Sequence, residues 1–105
     1  MKDFKGTPGP WVASTTDRSI GPICKDDDQS YGMILPVAWV EFDGEPAVHQ
    51  ANANLIAAGP DLLEALQEMT AIVKKNSYPQ PDKPSSNYAR AEWAESIISK
   101  ALGEE

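Results

Sequence analysis

The chain has 105 residues, the size of one small domain, and its 41% hydrophobic and 24% charged composition excludes a disordered chain and predicts a folded one. A formal charge of −7, from 9 basic and 16 acidic residues, repels a phosphate backbone and argues against direct binding of duplex nucleic acid. No apolar run approaches the roughly 18 residues that cross a bilayer, the N-terminal MKDFKGTPGPW has no apolar core of a signal peptide, and the lone Cys24 precludes an intrachain disulfide, so the expected location is the cytoplasm, with no membrane partner.

Residues 7–43 read as β-rich. Trp11–Thr15 follows the Gly9-Pro10 punctuation, Ser19–Lys25 carries Ile20 and Ile23 around Gly21-Pro22, and Met33–Phe42 concentrates Ile34, Leu35, Val37, Trp39, Val40 and Phe42. Pro36 lacks an N–H, so the third stretch is expected to be an edge strand, to start after the proline or to bulge there. Asp26-Asp27-Asp28-Gln29-Ser30 reads as the exposed connection before it. Trp11, fixed by the Gly9-Pro10 turn, is expected to pack in the core and clamp the sheet on a helix.

Residues 46–103 read as helical. Pro46 suits a first turn, and Ala47, Val48, Ala51, Leu55 and Ala58 recur at helical intervals. Gly59-Pro60 predicts a kink or a break, with Asp61 in a new first turn and a stripe of Leu62, Leu63, Leu66, Met69, Ile72 and Val73 running to Lys74-Lys75-Asn76. Tyr78–Pro84 carries three prolines and predicts a stiff extended connection. Ser85 or Ser86 can then cap a last helix whose stripe of Ala89, Trp93, Ile97 and Ala101 places Trp93 in the core, and Gly103 ends it. Strands followed by helices define an α+β fold: one domain over 1–105, with a small N-terminal antiparallel β-sheet of about three strands packed on C-terminal helices, the first kinked or broken at Gly59-Pro60.

Catalysis and metal binding find little to work with. His49 is the one imidazole, and no spacing sets Cys24 or a serine beside it, so no catalytic residue is assigned. One Cys and one His cannot furnish a zinc site, and Asp26-Asp27-Asp28 lacks the alternating ligands, central glycine and distal glutamate of a calcium loop. No metal or other cofactor is expected. Lys74, Lys75, Tyr78, Asn87, Tyr88 and Arg90 form the one mixed basic and aromatic neighbourhood, and they could hold a nucleotide by stacking and phosphate pairing.

Two stretches, Phe4-Lys5-Gly6-Thr7-Pro8-Gly9-Pro10-Trp11 and Ala51–Leu66 (ANANLIAAGPDLLEAL), resemble a widespread family of small accessory proteins of tailed phages and prophages. Those proteins share a KGTPGPW-like start, a variable β region, an ANAxLIAAAPDLLEAL helix and an end similar to Ile97–Glu104; Gly59 stands where alanine is commoner, and residues 15–43 match nothing in the group. The resemblance implies an early accessory product and supplies no catalytic residues.

Together these readings point to a non-enzymatic phage accessory protein, in the cytoplasm of the bacterial host, that binds and inhibits a host factor as a counter-defence, anti-CRISPR-like protein. Its variable β region would supply the recognition surface, with Asp26, Asp27, Asp28, Tyr31 and Asp43 meeting a basic host protein. The alternatives are a sponge for a nucleotide signal at the Lys74–Arg90 neighbourhood and a structural or assembly component. A homodimer is the expected oligomer.

Overall fold

The computed structural model describes residues 4–25, 32–41 and 45–104. Its elements run β1 (Val12–Ala13), β2 (Ser19–Gly21), β3 (Ala38–Trp39), α1 (Pro46–Ala57), α2 (Gly59–Lys75) and α3 (Asn87–Ala101), an α+β order with a three-stranded antiparallel sheet at the N-terminus and three helices after it. The chain gathers into two compact units, one formed by Gly6–Asp61 and the other by the chain from Leu62 onward with Phe4 and Lys5.

In the first unit β2 is central, with Val12 opposite Gly21, Ala13 opposite Ile20, and Ile20 also opposite Ala38. Ser14 and Asp17 tie the β1–β2 turn: the Ser14 hydroxyl accepts from the Thr16 and Asp17 amides, and the Asp17 carboxylate accepts from the Ser19 hydroxyl at 2.6 Å and the Ser19 amide at 3.1 Å. These bonds, chiefly the one from the Ser19 hydroxyl, hold the Asp17 carboxyl below its usual range. Arg18 closes the turn with φ 66°, a left-handed conformation for a residue with a Cβ.

Pairing between the second and third stretches reaches past the short strands. Ile23 opposes Ile34 as an isolated bridge, and Leu35, Val37 and Val40 donate to the carbonyls of Pro22, Ile20 and Arg18. Two residues separate Ile20 from Ile23 while three separate Ile34 from Ala38, so one extra residue bulges beside Pro36. β3 therefore starts after the proline and lies at the sheet edge, where a missing N–H is tolerated. The bulge brings backbone close to β2: a Cβ on Gly21 would collide with the Leu35 carbonyl oxygen, so only glycine fits there.

α1 closes this sheet by packing on β1 and β2. Ala53 and Ala57, four residues apart, are its buried face and join Ile20 and Val40 in the core, with Trp11, Ala13 and Ala38 packed against them. Trp11 thus packs where its rigid turn directs it. That turn contains a cis Gly9-Pro10 bond, and a Cβ on Gly9 would lie 2.7 Å from the Pro60 Cβ, so the GPW turn and the GPD step are in close contact.

α1 stops at Ala57; Ala58 intervenes and Gly59 and Pro60 open α2, where the proline's missing N–H has no intrahelical partner to lose. In the second unit α2 is finished by Asn76, whose side-chain amide donates to the Ile72 carbonyl, and by Ser77, whose hydroxyl donates to the Val73 carbonyl at 2.6 Å. α3 is capped by Ser86, whose hydroxyl accepts from the Ala89 amide at 3.2 Å. It ends in a Schellman motif, with Gly103 at φ 80°, its N–H bonded to Lys100 and that of Glu104 to Ser99.

Two expectations are corrected here. The proline segment is not extended: Lys83 donates to the Gln80 carbonyl and Ser86 to that of Lys83, because proline at these turns gives up no bond the turns require. Trp93 is not core; it is 68% exposed. The covered face of α3 is Ala91, Ala94 and Ile98, and Trp93 is displaced from Ala94 by about 100° around the helix.

Candidate functional site

Where α2 ends and α3 begins, the chain forms a cleft of about 310 Å3 lined by Asn76, Ser77, Tyr78, Gln80, Ser85, Ser86, Asn87 and Tyr88. A second hollow of about 300 Å3, lined by the prolines of the 79–84 turn with Lys83, Ala89 and Glu92, shares Gln80, Ser86 and Tyr88 with it. Tyr78, Asn87 and Tyr88 are therefore brought together as the sequence suggested. The cations are not: neither Lys75 nor Arg90 is in either lining, and the Arg90 Nε donates to the Ser85 carbonyl at 3.2 Å.

Lys74 lies 5.3 Å from the Tyr88 ring centre, in cation–π range, and its Nζ donates to the Glu95 carboxylate at 2.7 Å. The hydrogen bond to Glu95 raises the Lys74 pKa above its ordinary value against a smaller opposing desolvation. Lys74 is thus a charged strut from the last turn of α2 to the middle of α3, its charge matched by Glu95. Sequence reasoning missed Glu95 because it lies 21 residues away, beyond any local spacing. What remains in the cleft is neutral: two phenol rings, amides and hydroxyls, suited to hydrogen bonding and stacking rather than to phosphate charge.

The other candidate surface lies on the β ribbon. Asp26, Asp27, Asp28, Tyr31 and Asp43 lie outside the described residues. Between them in sequence, Met33, Leu35, Val37 and Trp39 are 61%, 48%, 42% and 64% exposed, while Ala38 and Val40 turn inward. Four large apolar side chains are thus exposed within seven residues of an edge ribbon, whose bulge between Ile34 and Ala38 interrupts the alternation of faces.

His49 is half-buried and lines a cavity of about 120 Å3 with Ser14, Thr15, Thr16, Arg18 and Gln50; the buried Cys24 is not part of that lining. Among the described residues no group of three or more His, Cys, Asp or Glu side chains gathers as a metal site, and no helix is long and apolar enough to cross a membrane.

A family model described as Salmonella phage P22 protein Y8K6 matches residues 1–105, the whole chain. The chain belongs to that family. Membership of the P22 Y8K6 family establishes a small phage protein. No curated protein and no solved structure matches the chain.

Proposed function

We propose that this P22 Y8K6 family protein is a non-enzymatic phage accessory factor that binds and inhibits a host protein, as an anti-CRISPR-like counter-defence protein does. The observation that supports the reading is that Met33, Leu35, Val37 and Trp39, four large apolar side chains of the edge ribbon, are all exposed. Large apolar side chains, tryptophan above all, form the centres of protein interfaces, and a polar rim keeps water from them. Here the sequence on either side of these four is acidic, with Asp26, Asp27 and Asp28 before them and Glu41, Asp43 and Glu45 after them. An exposed apolar segment flanked in sequence by carboxylates fits a basic protein surface, and opposite charge speeds encounter while like charge rejects acidic partners. The free edge itself is a poor template for strand addition, because Pro36 and the bulge interrupt its hydrogen-bonding row, so side chains carry the recognition.

The test is capture from host lysate by the full chain, alongside Trp39→Asp and an Asp26–Asp28 charge reversal, followed by assay of the captured protein. The expected result is one stoichiometric host protein, inhibited on binding and lost with either variant. Capture that neither variant changes would sink the reading. A nucleotide released from the purified chain on heating, with no protein captured, would replace it with the sponge.

A further inference from the structure

We propose that the cleft between the end of α2 and the start of α3 binds an uncharged sugar ring, stacked on Tyr78 and held by the side-chain amides of Gln80 and Asn87. The cleft is built by residues 76–88 alone, inside the unit from Leu62 onward. Its volume of about 310 Å3 reaches the size at which small-ligand sites begin, roughly 300 Å3. Its lining carries no charged side chain among the described residues, so the ligand that it suits is neutral.

The hydrogen-bonding groups narrow the class further. The Asn76 amide nitrogen donates to the Ile72 carbonyl and the Ser77 hydroxyl to the Val73 carbonyl, which leaves an oxygen on each as an acceptor. The Ser86 hydroxyl accepts from the Ala89 amide and keeps its own proton to donate. Among the described residues the side-chain amides of Gln80 and Asn87 take no partner, so each offers a donor and an acceptor. Phosphate and carboxylate oxygens only accept and an ammonium group only donates, so each would leave half of this set unanswered. A sugar hydroxyl donates and accepts at once, and a sugar ring carries several around its edge.

The aromatic side chains supply the other half of the match, because the C–H face of a sugar packs on the face of an aromatic ring. Lys74 lies over the Tyr88 ring, 5.3 Å from its centre, which leaves Tyr78, 69% exposed, as the more open ring. Pro79 narrows the backbone freedom of Tyr78, and a tyrosine has few side-chain torsions to fix, so aligning this ring on a ligand costs little entropy. The adjoining hollow of about 300 Å3, which shares Gln80, Ser86 and Tyr88, gives a second ring a place to continue. These residues are separate from the β ribbon, so the site holds or fails independently of what the ribbon binds.

The experiment is a titration of the isotope-labelled full chain with glucose, galactose, mannose, N-acetylglucosamine, maltose and chitobiose, followed by NMR of the side-chain amides of Asn76, Gln80 and Asn87. The expected result is a saturable shift of these signals with at least one sugar, in the millimolar range for a single ring and about ten-fold tighter for its disaccharide. Tyr78→Ala should weaken binding about ten-fold and leave the rest of the spectrum unchanged, because the ring is exposed. Asn87→Ala should weaken it several-fold. A titration in which none of these sugars shifts the cleft overturns the proposal, as do saturable shifts that Tyr78→Ala leaves intact. Adenosine binding there more tightly than every sugar overturns the assignment to a sugar. AMP binding more tightly than adenosine overturns the neutral character of the cleft.

Discussion

The unit of Gly6–Asp61 and the unit from Leu62 onward use apolar residues in opposite ways. The first has strands of only two or three residues beside the helix α1, yet it buries Ile20 completely and gathers Val40, Ala53 and Ala57 around it. The second has the two longest helices, yet its buried side chains are mostly small, Thr70, Ala91, Ala94 and Ile98, while Leu62, Met69, Ile72 and Trp93 lie in water. Regular secondary structure and a core are thus different things: hydrogen bonding within a helix needs no partner, whereas burial of its stripe does.

The contrast can be broken by substitution. Ile20→Ala should cost about 3 kcal/mol in urea denaturation, because a fully covered side chain leaves a cavity on removal; a loss near zero would show that the first unit has no fixed core. Gly21→Ala should cost about 2 kcal/mol, since the Leu35 carbonyl must move to admit a methyl group, and a neutral result would refute the bulge. Trp93→Ala, although a larger deletion than either, should shift stability by no more than about 0.5 kcal/mol. A larger loss would place the indole in a contact of the folded chain.

The smallest effect belongs to Lys74. Its folded-state pKa is raised by Glu95, so the contribution of the pair is present in full below the ordinary lysine value of 10.5 and is lost as pH rises through the higher folded value. Melting curves taken from neutral to strongly alkaline pH should lose this component in Glu95→Gln, and salt should shrink it because both groups are partly exposed. A wild-type and variant difference that persists unchanged at the alkaline end would refute the pairing.

Legibility followed the range of the interactions. Ser86 as a cap, Gly103 as a stop, Pro36 at an edge bulge and the break beside Gly59-Pro60 were all readable, because each is decided by residues within a turn of one another. Tyr78, Asn87 and Tyr88 could be grouped for the same reason, since the short loop between α2 and α3 returns them to one cleft. Glu95 could not be read beside Lys74, nor the face of α3 that is covered, because both depend on how distant segments meet. Trp93 shows the limit most directly: an aromatic residue at helical spacing signals an apolar stripe, and α3 has apolar residues on two sides, Ala91, Ala94 and Ile98 on one and Trp93 and Ile97 on the other.

By itself the sequence determined an acidic α+β chain with strands before helices, no site-forming set of cysteines and histidines, and the positions where proline, glycine and serine begin and end its elements. Tertiary structure alone decided that Ile20 is the best-covered side chain, that Gly21 must admit a bulged carbonyl, that Lys74 is held by Glu95, and that Trp39 and Trp93 face water. Local preferences act over a few residues and are written in spacing, whereas burial is a property of two surfaces, and which surfaces meet is a choice made by the whole chain.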